Sequence, residues 1–187
     1  MNEDQPQILV PWPVSWGQEA PAVAVFDGDH ELRATDLSKV ELYVMPYAKP
    51  DAQQLISKLP ALRALQVLTA GYDSVLDLVP AGVELHNGTG LHDASTAEHA
   101  LALILAAQRE FPRWFADQQA GVWAPEHTGS LADSRVLIVG YGNIGQAIER
   151  RLLPFETTVT RVARRARPEE SVHPIEDLPS CCPRPTW

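Results

Sequence analysis

The chain has 187 residues and a formal net charge of −9, with 45% hydrophobic and 21% charged residues. That balance is ordinary for one globular domain or two small ones and excludes a chain that is disordered throughout. The acidic excess argues against a nucleic-acid partner and against an anionic membrane surface, since both need clustered Lys and Arg.

Residues 1–6 are polar and acidic, so the N-terminus does not read as a secretory signal. Residues 7–11 (QILVP), 22–26 (AVAVF) and 40–45 (VELYVM) read as three strands. Residues 50–59 read as a helix, with a proline just inside its start and Leu55 and Leu59 four apart. Residues 65–69 (LQVLT) read as a fourth strand and 83–86 as a short fifth. Strands alternating with helical segments predict a parallel sheet with helices on its faces.

Residues 87–93 (NGTGLHD) form a loop by composition. Ser95 is the expected N-cap of a long helix, because Glu98 follows at the capping-box spacing. Leu101, Ile104, Leu105 and Gln108 then recur at helical spacing among small residues, which predicts a helix buried on more than one side. It is expected to continue past Pro112, with a kink, to about Gln119. The longest strongly apolar stretch, residues 100–107, falls far short of the roughly 20 residues that span a bilayer. Residues 121–130 read as a loop.

Residues 135–145 read RVLIVGYGNIG. The run 136–139 is unbroken and apolar, as expected of a strand buried on both faces. Gly140, Gly142 and Gly145 follow in the spacing G-x-G-x-x-G, and a helix with Ile144, Ile148 and Leu152 on one stripe comes next. The three glycines differ in what they allow. Gly140 permits the tight turn, Gly142 lets a diphosphate approach the backbone, and Gly145 lets the helix pack close to the strand. The free N–H groups at the helix start attract the phosphates. Two other readings stay open: a purely structural turn in another α/β protein, and the glycine-rich turn of an S-adenosylmethionine-dependent methyltransferase.

Residues 157–163 (TTVTRVA) are the expected next strand. A site built for NAD places a carboxylate at the end of that strand, on the ribose hydroxyls. Here Arg164 and Arg165 follow instead, and the first acids are Glu169 and Glu170. Guanidinium groups suit a 2′-phosphate, so NADP(H) is the preferred cofactor and NAD(H) a possible one. The competing reading is a basic solvated loop.

In combination these stretches resemble the D-isomer-specific 2-hydroxyacid dehydrogenases, over roughly residues 7–180. LTAGYDSV at 68–75 looks like the family's substrate-facing loop. Residues 87–90 with ASTAEHALALIL at 94–105 look like the interdomain helix and the loop before it, and Trp123 sits where the family often has Gly-x-Trp. The resemblance implies an α/β protein: a flavodoxin-like substrate domain over residues 1–94, and an incomplete Rossmann dinucleotide-binding domain over 95–187. It implies that backbone N–H groups at Ala70, Gly71 and Tyr72 bind the carboxylate of a small 2-oxo or 2-hydroxy acid. Thr96 would lie near the nicotinamide. Gly140, Tyr141, Gly142, Asn143, Ile144 and Gly145 would form the diphosphate turn, with Asn143 and Ile144 covering it. The family reaction moves a hydride between the nicotinamide and C2 of the acid, and members are commonly homodimers, with residues 111–130 available for that contact; the cytoplasmic expectation comes from the composition.

The family's catalytic arginine, acid and histidine lie in the second half of the cofactor domain, and too few residues follow Gly145 to supply it. No catalytic residue is therefore assigned, and the expectation is an inactive chain. The alternative is a non-catalytic nucleotide-binding or dimerisation fragment. The six histidines, His30, His86, His92, His99, His127 and His173, show no triad or metal pattern, so no metal site is expected. Cys181 and Cys182 exclude a disulfide framework. They fall in SCCPRPTW at 180–187, which departs from the text before it. One codon choice for that stretch, entered two bases later, encodes LLPEADV, as the resemblance would place there. Residues 181–187 accordingly read as out of frame, the alternatives being a truncated gene and an evolved short protein.

Overall fold

The computed structural model describes residues 7–14, 22–30, 32, 37–47 and 49–182. The expectations for residues 1–6 and for 183–187 lie outside the described residues. The chain divides into two compact units, Met1–Leu91 and His92–Trp187, where the sequence reading set its boundary between Ala94 and Ser95.

Unit 1 is a five-stranded parallel sheet of β1 (Gln7–Val10), β2 (Ala22–Val25), β3 (Val40–Met45), β4 (Ala64–Val67) and β5 (Glu84–His86). The strand order 2-1-3-4-5 is that of a flavodoxin-like fold. Helix α1 (Pro50–Leu55) is shorter than its sequence pattern, because the chain tightens into a 3₁₀ turn at Ile56–Lys58. Leu9, Val40, Tyr43 and Leu65 are fully buried and pack with Leu55, Ile56 and Leu59. The Tyr43 hydroxyl donates to the Ala52 carbonyl at 3.2 Å. Burial raises that phenol above its ordinary value.

Unit 2 carries a three-stranded parallel sheet of β6 (Arg135–Val139), β7 (Thr158–Ala163) and β8 (Val172–Pro174), in the order 6-7-8. This is the arrangement of the first half of a Rossmann sheet. Its helices are α2 (Asp93–Gln108), α3 (Phe111–Ala120), α4 (Asn143–Leu152) and α5 (Leu178–Cys181). Leu152 is fully buried and packs with Leu101, Ile138 and Val172.

Four expectations change here. Helix α2 starts before Ser95, with His92 at its N-cap, and the Ser95 hydroxyl donates back to the His92 carbonyl at 3.2 Å. Asp93 supplies the negative charge that the first turn favours. Glu98 does not close a capping box; it pairs with Arg151 of α4 at 3.2 Å. Helix α2 is buried on one side only: Ala97 and Leu101 are covered, whereas Leu103 is 58% exposed. Nor does it kink through Pro112. Glu110 has φ 52°, a left-handed conformation that an α-helix cannot pass through, and α3 begins afresh. Pro112 then sits in a first turn, where its missing N–H is harmless. Finally, β6 is not buried on both faces. Ile138 is covered but Val139 is 56% exposed, and among the described residues β6 has a strand neighbour on one side only.

Among the described residues no helix is long and apolar enough to cross a membrane.

Candidate functional site

Two clusters sit at the carboxyl ends of parallel strands, where open α/β sheets place their ligands. The first lies in unit 1, in the loops after β4 and β5. Gly88 approaches the β4 loop so closely that a Cβ would stand 2.3 Å from the Leu68 carbonyl oxygen. Its N–H donates to the Thr69 carbonyl at 2.7 Å, and Asn87 Nδ2 donates to the Ala70 carbonyl at 2.8 Å. The Tyr47 hydroxyl holds the Leu68 carbonyl at 2.9 Å, and Thr69 Oγ1 donates to that of Gly71 at 2.5 Å. The carbonyls of this loop are thus turned to internal partners. Ala70, Gly71 and Tyr72 are exposed. None of their N–H groups has a backbone acceptor among the described residues. A cavity of about 540 Å³ lies beside them, lined by Gln66, Tyr72, Leu85, His86 and Asn87.

The second cluster lies in unit 2, where β6 turns into α4. Gly140 has φ +103°, which a side chain would oppose. Its N–H donates to the Val162 carbonyl at 2.8 Å, tying the turn to β7. A Cβ on Gly145 would stand 2.4 Å from the Gly140 carbonyl oxygen and 3.3 Å from Ile138 Cγ2, so the helix packs on the strand only with glycine there. A Cβ on Gly142 would meet nothing within 4 Å. Gly142 caps α4 without a side chain bonding into the helix, and its carbonyl accepts from Gln146 at 2.9 Å. The N–H groups of Asn143, Ile144 and Gly145 are therefore left to an outside acceptor. A tight first glycine, an open second and a packed third are what a diphosphate-binding turn needs.

Arg164 and Arg165 follow β7, which runs alongside β6 with Val139 opposite Val162. That register sets the two arginines beside the turn. Both are exposed, and neither has a hydrogen bond or ion pair among the described residues. Thr96 is exposed in the first turn of α2, which packs against α4.

Residues 101–180 match the family described as D-isomer specific 2-hydroxyacid dehydrogenase, NAD binding domain. Over those residues the chain is similar to the cofactor domain of the D-isomer-specific 2-hydroxyacid dehydrogenases. It is 29% identical over 129 residues to a glyoxylate reductase of Thermococcus litoralis, covering 63% of this chain and 39% of that protein. It is 33% identical over 142 residues to a 2-ketogluconate reductase of Gluconobacter oxydans, covering 72% of this chain and 44% of that protein. Among solved structures, an NADPH-dependent glyoxylate/hydroxypyruvate reductase from Sinorhizobium meliloti shares the fold. It has a TM-score of 0.72 at 22% identity, over 94% of this chain and 58% of that one. The chain spans under half the length of these two curated reductases.

The glycine turn holds a charged network that the sequence pattern did not reveal. Glu149 of α4 is only 4% exposed. Its carboxylate accepts from the Tyr141 hydroxyl and from Arg161 of β7, whose Nε lies 2.9 Å from both oxygens. Burial works to raise this carboxyl, yet the hydrogen bonds from Arg161 and Tyr141 hold it below its ordinary value. Arg167 donates to the Tyr141 carbonyl and lies 5.7 Å from its ring centroid; Arg161 lies 5.3 Å from the same ring. A signal was available in TVTRVA, because an arginine inside an apolar strand needs a partner. Which carboxylate provides it is set by packing across twelve residues of chain. The loop role of Asn87 and Gly88 was likewise hidden, because Gly88 meets Leu68 only once β4 and β5 are paired.

The histidines divide plainly. His30 pairs with Asp27 at 2.7 Å, His86 with Glu84 at 3.2 Å and His173 with Asp177 at 3.8 Å. His92 caps α2, and His99 and His127 are exposed. No group of three metal-ligating side chains occurs among the described residues.

Proposed function

We propose that residues 140–145 hold the diphosphate of a nicotinamide dinucleotide, and that the whole protein interconverts a small 2-oxo acid and a D-2-hydroxy acid. The observation that carries this reading is the contrast between Gly142, open to approach, and Gly145, closed by packing. When bound, the cofactor supplies or accepts the hydride at C2 of the acid. The chain's own residues orient it. The N–H groups of Asn143, Ile144 and Gly145 bind phosphate oxygens at the start of α4. Arg164 and Arg165 face the ribose 2′-phosphate, so NADP(H) is preferred over NAD(H). Thr96 stands near the nicotinamide. The free N–H groups of Ala70, Gly71 and Tyr72 bind the substrate carboxylate, and the bonds from Asn87, Gly88 and Tyr47 keep that loop in shape. In this reading residues up to about 94 belong to the substrate domain and the rest to the cofactor domain.

Two further elements complete the proposal. Phe111, Phe115, Val122 and Trp123 are exposed, Trp123 at 90%, which fits burial against a second copy of the chain. A cytoplasmic setting is the other element of the proposal.

The test is a comparison of NADPH and NADH dissociation constants for the wild type and for Arg164→Asp combined with Arg165→Ala. The discrimination for NADPH is expected to fall at least ten-fold; an unchanged ratio removes the 2′-phosphate assignment. Hydride transfer from NADPH to glyoxylate or hydroxypyruvate supports the enzyme reading. Binding without turnover favours the nucleotide-binding fragment.

A further inference from the structure

Glu149 lies beneath the glycine turn, on the side of α4 that meets β7. A buried ion pair contributes little net stability, because desolvation offsets most of the attraction. An apolar pair of similar volume would pack α4 on β7 as well. The contacts of this pair, however, lead out of the core. Arg161 grips Glu149 with Nε and Nη2 and spends Nη1 on the Glu170 carbonyl at 2.7 Å. Glu170 lies in the loop between β7 and β8, and Arg161 sits near the base of the strand segment that leads into that loop. From the same loop Arg167 reaches back to the Tyr141 carbonyl and covers the Tyr141 ring. The Tyr141 hydroxyl closes the circuit on Glu149. The loop is also fastened to itself, with Arg167 and Val172 exchanging backbone hydrogen bonds at 3.0 Å. Arg164 and Arg165 ride on the stretch between these anchors and have no anchor of their own.

We infer that Glu149 is a positioning residue: acting through Arg161 and Tyr141, it holds the 164–171 loop against the glycine turn so that the arginines there meet an anionic group on the nucleotide ribose. Glu149 itself does not touch the nucleotide. The inference rests on the assignment of Arg164 and Arg165 to the 2′-phosphate. Its consequence is specific. Loss of the buried charge frees Arg161 and lets the loop drift, while Gly140, Gly142 and the start of α4 keep the diphosphate turn.

The experiment uses the whole chain and titrates NADPH and NADH separately against wild type, Glu149→Gln and the double variant Arg164→Ala with Arg165→Ala, with thermal unfolding of each. For Glu149→Gln the NADPH dissociation constant is expected to rise at least five-fold while that for NADH stays within two-fold. An equal change for both cofactors, or none for either, overturns the positioning role. If the double variant loses discrimination and Glu149→Gln keeps it, the positioning role alone falls. If the double variant keeps discrimination, the assignment of Arg164 and Arg165 falls, and the positioning role falls with it. Should Glu149→Gln fail to unfold cooperatively, Arg161→Lys replaces it; that variant keeps a cation but loses the fork and the reach to Glu170. Its discrimination is expected to drop at least three-fold, and an unchanged ratio overturns the inference.

Discussion

Replacing Gly142 by alanine is expected to leave the fold intact and to weaken dinucleotide binding. Gly142 has φ −93° and ψ −157°, extended backbone that any residue adopts. A Cβ there meets nothing within 4 Å. Two small effects on stability oppose each other. Alanine is a poorer N-cap than glycine by about 0.5–1 kcal/mol. It also has less freedom to lose from the unfolded chain, worth about 0.4–1 kcal/mol. The net stays within about 0.5 kcal/mol, or roughly 2–4 °C in Tm for a domain of this size. Binding has no such compensation. The methyl stands where a diphosphate must come to reach the N–H groups at the start of α4. Each charge-assisted hydrogen bond lost costs about 1.5–3 kcal/mol, roughly a 10–160-fold rise in Kd. Fluorescence titration with NADPH, paired with thermal unfolding, separates the two quantities. Gly145→Ala is expected to do the reverse at the level of stability. Its Cβ would lie 2.4 Å from a backbone oxygen that cannot swing away, so the strand or helix must shift, at about 1–3 kcal/mol. A Gly142→Ala protein that binds NADPH like wild type would refute the placement of the diphosphate on this turn.

Three other outcomes are expected. Gly88→Ala should destabilise unit 1 by about 1–3 kcal/mol, read by chemical denaturation, because its Cβ would lie 2.3 Å from the Leu68 carbonyl oxygen; an unchanged midpoint would mean that the two loops part easily. Leu152→Ala should cost unit 2 about 2–5 kcal/mol, since this fully buried side chain anchors α4, and a loss under 1 kcal/mol would show a core that refills the space. The third concerns pH at the turn after β2. The Asp29 N–H and the His30 ring and N–H lower Asp27 to about 2, and Asp27 raises His30 above 6.5. The His30 contribution is complete below its ordinary value and fades as pH rises through its raised one; the Asp27 contribution is complete above its ordinary value and fades as pH falls towards 2. The turn should hold best between roughly pH 4 and 6.5, and an NMR titration placing the His30 midpoint at or below 6.5 would contradict the pairing.

Strands β1 to β7 were legible as short, largely apolar runs bounded by turn residues, and β3 begins and ends where its composition changes, at Val40 and Met45; β8, Val-His-Pro, has no such run and was not read. The turn at 140–145 was legible for a different reason: its glycines answer to local geometry, φ at Gly140 and contact at Gly145. What local pattern could not supply was partnership. Ser95 and Glu98 have the spacing of a capping box, yet Glu98 is drawn to Arg151 on a neighbouring helix. Glu110 reads as an ordinary helical residue, yet its left-handed φ breaks the chain between α2 and α3. Arg161 and Glu149 meet only after β7 and α4 are packed. The charged residues with the plainest sequence signal, Arg164 and Arg165, have no partner among the described residues. A ligand-facing cation and a solvated one look alike until something binds.

Every strand pairing in both sheets is parallel. That has a consequence for how the chain reaches its fold. An antiparallel pair can zip from a two-residue turn, whereas a parallel pair forms only after the chain has travelled back to its starting edge. Apart from the antiparallel bridge between Arg167 and Val172, no hairpin pairs the strands among the described residues, so each ladder must wait on the closure of a loop. The shortest return is that from β7 to β8, which spans residues 164–171 and uses a 3₁₀ turn at Pro168–Glu170 in place of an α-helix. The loop that bears Arg164 and Arg165 is therefore also the quickest route to a first strand pair in unit 2, and the rest of that unit is expected to fold more slowly around it.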